Sequence, residues 1–560
     1  MWIVGALLFA VAALLAFRSP RGLGRRAALA WVPLTLAGGA LLAAAGLAPT
    51  VPLPFGLRLD PLGAWALVPC LFWALLVAAG PHVGDLPSPA GLASLIPVGV
   101  GVLLADNLLT WLVLFGLFIA IIATLSPGRG ESSPLALPVI SGGALLVLGA
   151  DTGDPWVRLD PELLNGAPAR LLGVLVFGGV AGLLPLSWAY PAACTRLPIA
   201  VSGVVVGFGG QIGLLGLTRL HAGTPELGSG LLLLGLGLAS TVYAVVSMMR
   251  EDDLRRFIGL LGVSVSALLA VSLGARVLGE VWGLPSLASG AAVALELGRV
   301  LHPLGLTLFT LALGMLYAGA GRTDIRDLGG LIRPFPVTAT LFGLATWCLI
   351  ALPPLATFLP DWSLLRGLIG GLDAAPPAVR VVLLAIFVMV VLARVATGLA
   401  LLRPFAGVFL GPRRAPGGLL PLDPKLEWFG LAGLLVVPPA VLPRALSRAA
   451  AAHTVVGSAP DPDVDRIALL GAALVAGALL VSAFDRRRTS APEPVAWIGG
   501  REATEAPPPR PAPHAERRTP DVAALRERLG LLLARLPQEA RVETAWWLVG
   551  LLLALGWALA

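Results

Sequence analysis

Long apolar runs separated by short polar loops dominate this chain from end to end. A hydrocarbon core of about 30 Å needs about 20 apolar residues per helix, and about sixteen stretches meet that criterion. They centre near residues 10, 37, 70, 96, 116, 142, 180, 208, 238, 266, 308, 345, 392, 436, 475 and 551. The pattern predicts an all-α polytopic membrane protein. Two spans carry internal proline, one Pro185 and Pro191, the other Pro353 and Pro354. Proline removes a backbone donor and clashes with the preceding turn, so both helices should be broken. Broken helices at corresponding places in two halves point to two inverted repeats with binding sites near the breaks.

The pattern changes after the fifteenth run. Residues 486–520 are rich in Pro, Arg, Ala and Glu, with Pro507, Pro508 and Pro509 in succession, and read as a disordered cytoplasmic linker. Next, Leu525, Leu529, Leu532 and Leu536 share one helical face, with Arg526, Glu527, Arg528 and Arg535 largely off it. That is an amphipathic helix for a membrane surface or a partner, started by Thr519–Pro520. Trp546 and Trp547 open a last span at the interface. The expected organisation is N-terminal helices 1–105, a core 106–412, further core helices 413–485, the linker 486–520, and the amphipathic helix plus terminal span 521–560.

Composition agrees with this reading and excludes others. The chain is 57% apolar and 13% charged, against about 25% charged in soluble domains. Its formal charge of +7 does not point to nucleic acid, because the arginines sit at span ends and in the tail, as membrane orientation requires. Arg18, Arg21, Arg25 and Arg26 put the first loop in the cytoplasm. Alternation then places 250–256, 322–333, Arg413–Arg414 and 486–488 inside and the acidic stretch 151–162 outside. Both termini are expected outside, in a prokaryotic inner or cell membrane. The first run, Trp2 to Phe17, lacks a basic leader and a small-residue cleavage site and reads as a retained span. Cys70, Cys194 and Cys348 lie in apolar runs, with no metal or disulfide spacing. No Gly-rich phosphate loop and no His/Cys cluster is visible, so no cofactor is expected in this chain.

The most specific stretch runs from His302 to Trp362, HPLGLTLFTLALGMLYAGAGRTDIRDLGGLIRPFPVTATLFGLATWCLIALPPLATFLPDW. Leu59–Asp60–Pro61–Leu62, Asp253–Leu254–Arg255–Arg256 and PIAVSGVVVGFGGQIGLLGLTR (198–219) accompany it. In order and spacing these segments, over roughly 55–412, resemble the antiporter-like membrane subunits of respiratory NADH–quinone oxidoreductase. The same family includes membrane subunits of group 4 hydrogenases and formate hydrogenlyase, and Mrp-type cation/proton antiporters. The resemblance implies proton or cation translocation along a central line of charged side chains. In that line a glutamate of the fifth span modulates a lysine in the broken seventh. A lysine in the eighth relays onward, and a lysine or glutamate near the twelfth completes the exit.

This chain departs from that line. Lys425 is its only lysine and falls in a loop. Gly116 stands in the glutamate's place, Val180 in that of the broken-helix lysine and Gln211 in that of the eighth-span lysine. Ser187 and Cys194 stand where relatives often carry histidine. The remaining candidates for an ion pathway are Glu296, Arg299 and His302, which open the eleventh span, with Asp361, Arg394 and Arg403. Residues at i and i+3 meet on a helix, so Glu296 and Arg299 are expected to pair. His302 is either a relay group or a satisfied histidine beside an interfacial ion pair near the outer surface. Arg403 is either a fixed charge or a side chain snorkelling to the cytoplasmic interface. Asp361 pairs with Arg394 or Arg366, or sits in the outer loop. Gln211 bridges water but carries no charge.

Three functions remain open. One is a subunit conducting protons through its second half, within a complex coupled to a quinone oxidoreductase or hydrogenase. Another is a degenerate scaffold that does not conduct. The third is the membrane partner of an inorganic-carbon uptake enzyme. In each, the expected partners are other membrane subunits, a peripheral enzyme and the lipid bilayer, without nucleic acid. A catalytic role in the chain itself is not expected, since no nucleophile–base pair is evident.

Overall fold

The computed structural model describes residues 51–67, 69, 73, 89–125, 158–159, 167–221, 225–351, 355, 357–410, 497–498 and 501–502. The spans expected near residues 10, 37, 142, 436, 475 and 551 lie outside the described residues, as do Lys425 and the amphipathic segment 521–536. The chain divides into two compact units, Met1–Asn165 with Leu172–Leu480, and Gly166–Leu171 with Val481–Ala560. In the second, the antiparallel pair β3 (Trp497–Ile498) and β4 (Arg501–Glu502) falls within the expected linker.

The first unit opens with a hairpin, β1 (Val51–Leu53) and β2 (Leu57–Leu59), closed by a 3-10 turn at Pro54–Gly56. The two hairpins are the one departure from an all-helical architecture among the described residues. Helices then follow in the expected order: α1 (Pro61–Leu67), α2 (Pro89–Leu104), α3 (Leu108–Leu125), α4 (Ala167–Ala181), α5 (Ala189–Cys194) and α6 (Ile199–Leu220). After these come α7 (Leu227–Arg250), α8 (Leu254–Val281), α9 (Pro285–Ala320), α10 (Pro336–Ile350), α11 (Phe358–Ala374) and α12 (Pro377–Phe409). Six of them, α3, α6, α7, α8, α9 and α12, are long and apolar enough to cross a membrane.

Both proline-bearing spans are broken. The first stops at Ala181, where Gly182 takes φ +86°. Leu183 N–H bonds the Gly178 carbonyl at 2.8 Å and Gly182 N–H that of Gly179 at 3.0 Å, the paired bonds of a glycine-closed C-terminus. Helix resumes as α5. The second break ends α10 at Ile350, with Ala351 left-handed at φ 60°, and helix resumes as α11. Pro353 and Pro354 themselves lie outside the described residues.

Helices α6, α8 and α9 form the interior. Every residue of α6 is buried, and α9 packs against α6, α8, α10 and α11. Helix α12 lies at the margin against α7, α10 and α11. It turns Val381, Leu384, Val388, Leu392, Val395 and Leu399 outward, an apolar stripe suited to hydrocarbon.

Candidate functional site

The polar interior is built on α9. The small residues of 285–295, PSLASGAAVAL, extend this helix well before the apolar run that marked it in the sequence, so it is 36 residues long. Glu296 and Arg299 therefore do not open the helix. Glu296 lies about 16 Å along its axis and His302 about 26 Å, at 1.5 Å per residue. All three are buried inside the protein: Arg299 is 0% exposed and Glu296 and His302 are each 2% exposed.

Glu296 and Arg299 pair as expected, Nη1 to Oε2, at 3.5 Å. A local backbone defect brings Gln211 to them. Pro303 lacks an N–H, so the Arg299 carbonyl four residues earlier has no helical donor. Gln211 Nε2 of α6 donates to that carbonyl at 2.7 Å, and Arg299 Nε donates to Gln211 Oε1 at 3.4 Å. Gln211 thus ties α6 to α9 through backbone and side chain together. Glu296 Oε1 and Arg299 Nη2 remain buried without a hydrogen-bond partner among the described residues.

One turn further along α9, His302 meets groups from two other helices. Arg394 of α12 donates from Nη2 to His302 Nε2 at 2.8 Å and also to Asp361 Oδ1 of α11. Its Nη1 reaches the Leu349 carbonyl in the last turn of α10 at 3.4 Å. Asp361 Oδ1 and His302 Nε2 are 3.9 Å apart, both contacting Nη2 of this guanidinium from one side. Asp361 therefore pairs with Arg394, in the first turn of α11 rather than in an outer loop. His302 Nδ1 is buried with no hydrogen-bond partner among the described residues.

Arg403 lies outside this group. It bonds the Glu251 carbonyl and the Asp252 carboxylate, so simple snorkelling gives way to a specific pairing. The contact belongs to a closed polar seam. Leu254 N–H bonds the Thr323 carbonyl, Ile325 N–H that of Asp252, and Leu331 N–H that of Val408. Asp253 caps α8 by accepting from Arg255 N–H at 2.9 Å and from the Thr323 hydroxyl at 3.2 Å. Two segments of the resemblance, 253–256 and 322–330, are thereby held together. Arg326, bonded to Asp324, holds that carboxyl below the usual carboxylate range against a smaller opposing effect of burial.

The positions expected to have departed from the family's charged line lie elsewhere. Val180 is buried one residue before the end of α4, and its carbonyl accepts from the Tyr190 hydroxyl. Gly116 sits on the exposed side of α3, and a Cβ there would meet no described atom within 4 Å. The buried face of α3 consists instead of Leu108, Trp111, Phe115, Phe118, Ile122 and Leu125. Ser187 and Cys194 are buried near the first break.

Sequence reasoning missed one buried pair. Asp60 Oδ1 accepts from Arg219 Nη2 at 3.0 Å and from Gly63 N–H at 2.7 Å. Arg219 Nη1 also bonds the Ala105 carbonyl at 2.9 Å. Burial raises the Asp60 carboxyl, but Arg219, the Gly63 N–H and Arg58 together outweigh it and hold the group below its ordinary value. The partners are 159 positions apart, so periodicity carried no signal; their presence in two of the matching segments was the available hint. Arg219 and Asp60 are among the charges that act on Arg299.

Residues 165–374 match the family described as NADH:quinone oxidoreductase/Mrp antiporter, transmembrane. An uncharacterized protein of Mycobacterium tuberculosis is 31% identical over 240 residues, 42% of this chain and 38% of that protein. Hydrogenase-4 component B of Escherichia coli is 28% identical over 242 residues, 39% of this chain and 34% of that protein. Formate hydrogenlyase subunit 3 of the same organism is 29% identical over 208 residues, 36% of this chain and 33% of that protein. The matched stretch thus spans little more than a third of these relatives' length. Among solved structures, a chain of the Mrp complex from Dietzia sp. DQ12-45-1b superposes with a TM-score of 0.62 at 22% identity. That match covers 100% of this chain and 63% of the other. A chain of respiratory complex I from Thermus thermophilus gives 0.59 at 22% identity, covering 82% of this chain and 100% of the other. At these identities the structural likeness concerns the fold.

Proposed function

We propose that this chain, an integral membrane protein carrying the antiporter-like module over residues 165–374, conducts protons as one subunit of a multi-subunit complex coupled to a quinone oxidoreductase or hydrogenase. The observation that carries this reading is the line of buried and half-buried ionisable groups Glu296–Arg299–His302–Arg394–Asp361, drawn from three helices. Charges inside a membrane are costly to bury and are retained chiefly along ion and proton pathways. Two broken helices support an inverted-repeat transporter architecture. The second break adjoins the charged line, at Leu349 and Asp361.

Within this line His302 is the proton carrier and Asp361 its carboxylate neighbour. Arg299 and Arg394 are fixed charges, because a guanidinium does not release its proton at ordinary pH. Gln211 orders water beside Arg299. The partners are further membrane subunits and a peripheral enzyme that supplies the driving reaction.

Proton flux tests the reading. Membrane vesicles holding the full chain are given a potassium potential with valinomycin, and internal pH is followed with a dye. Flux above that of vesicles lacking the chain is expected, and His302→Ala or Asp361→Asn should abolish the excess at unchanged chain abundance. No excess flux from the unsubstituted chain would support the scaffold reading instead, and equal excess flux in both variants would mean that protons cross without His302 and Asp361.

A further inference from the structure

Arg394 occupies an unusual place for a residue on a proton line. A single nitrogen, Nη2, contacts both His302 Nε2 and Asp361 Oδ1, and those two atoms are 3.9 Å apart. A guanidinium only donates, so Nε2 is the acceptor and the neutral ring carries its proton on Nδ1. Nδ1 itself has no hydrogen-bond partner among the described residues. The two groups able to exchange a proton are therefore both held by one nitrogen, which occupies the acceptor site that the proton would take.

We infer that Arg394 is a gate: its Nη2–H occupies the one acceptor lone pair of His302 Nε2, so a proton passes from Asp361 to His302 only after the guanidinium withdraws. This rests on the reading of the chain as a conducting subunit. The geometry supplies both the trigger and the retreat. A proton from water that binds Asp361 cancels the charge holding Nη2. Nη1 already reaches the Leu349 carbonyl, at the C-terminal end of α10, where a helix favours a cation. Side-chain rotation then closes the remaining gap of about 1 Å to hydrogen-bond distance. The Oδ1–H bond breaks as the Nε2–H bond forms, leaving a carboxylate and an imidazolium. The proton on Nδ1 is released onward to water, and exchange with water then moves the remaining ring proton from Nε2 to Nδ1, so that Arg394, drawn back by the restored carboxylate, can again donate to Nε2. The other charged groups of the helices packed at the site are Glu296 and Arg299 on α9, Arg366 and Asp373 on α11, and Arg380 and Arg403 on α12; α10 contributes none.

The outcome separates a gate from a carrier. In the vesicle assay above, Arg394→Met should raise proton flux severalfold at equal chain abundance. Adding His302→Ala to it should return flux to that of vesicles lacking the chain. Should Arg394→Met fail to accumulate, Arg394→Lys replaces it. A lysine has a single nitrogen and cannot hold the Leu349 carbonyl and the gap in one planar fork, so flux should again rise. Flux at or below that of the unsubstituted chain, in whichever variant accumulates, overturns the gate. If His302→Ala and Asp361→Asn abolish flux while Arg394→Met fails to raise it, the gate alone is wrong. If all of them leave the excess flux unchanged, the pathway through His302 and Asp361 falls with the gate, and if the unsubstituted chain gives no excess flux, the conducting reading itself falls.

Discussion

The two broken helices solve the same backbone problem in opposite ways. A break leaves carbonyl and N–H groups without helical partners inside a membrane, where each must still be satisfied. The first break uses neutral groups. Tyr190 donates to the Val180 carbonyl, and Ser240 Oγ accepts from Leu184 N–H at 2.9 Å. Around it the interior is filled with rings: Trp111 lies 5.4 Å from Phe177 and Trp73 lies 4.3 Å from Phe208 between centroids. The second break uses a charge, with Arg394 reaching the Leu349 carbonyl and carrying Asp361 and His302 with it. One break has become a packing device, while the other has kept titratable groups. Val180 belongs to the neutral break, whereas Gln211 reaches the charged line through Arg299.

The largest expected effect comes from breaking the charged half. Arg299→Leu leaves Glu296 in a fully buried site with its partner gone. Removing one member of a buried pair costs about 3–5 kcal/mol, whereas replacing both by apolar residues is often neutral or stabilising. Arg299→Leu should therefore lower the amount of chain in the membrane and its thermal aggregation midpoint. Glu296→Leu with Arg299→Leu should recover both. Recovery absent from the double variant would mean that Arg299 acts through Gln211 rather than through Glu296.

The contrast was only partly legible in the sequence. The breaks were, because Pro185 and Pro353–Pro354 interrupt apolar runs that continue on both sides. The Glu296–Arg299 pair was too, because it is local at i, i+3. Its depth was not: Ser, Gly and Ala residues before Leu295 contribute little hydropathy, so α9 looked eleven residues shorter than it is and its charges looked interfacial. Asp361 could be narrowed only to two arginines or a loop, since the choice of Arg394 depends on how α11 packs against α12. The Gln211–Arg299 contact joins residues 88 positions apart. Only the missing donor at Pro303 hinted that this carbonyl needed a partner. Gly116 shows the limit of transferring a motif by spacing, because the buried face of α3 runs through its neighbours Phe115 and Phe118 instead.

A smaller effect should separate structural from conducting roles. Tyr190→Phe removes the donor to the Val180 carbonyl and leaves that oxygen unsatisfied, at a cost of about 1–3 kcal/mol. Stability of the purified chain against heat should fall, while proton flux per chain in vesicles stays unchanged, because the first break carries no titratable relay. A loss of flux matching that of His302→Ala would instead place the Tyr190 hydroxyl on the pathway and erase the distinction between the two breaks.

The smallest effect lies at the seam that joins 250–254 to 323–327. Asp324 accepts from Arg326 N–H at 2.9 Å and from Arg326 Nε at 3.0 Å, and the guanidinium holds its carboxyl below the ordinary range. A carboxyl depressed on folding stabilises above its unfolded value of about 3.9. That contribution is lost as pH falls through the lower folded value. Both side chains are substantially open to water, at 66% and 31% relative exposure, so the pair contributes less than about 1 kcal/mol. Asp324→Asn should lower the thermal midpoint slightly at pH 6 and converge with the unsubstituted chain in strong acid. Flux should not change, because the seam relies on Leu254 N–H, Ile325 N–H and Asp253 for its closure. A large, pH-independent loss of stability would show that Asp324 holds the turn through its backbone cap rather than through its charge.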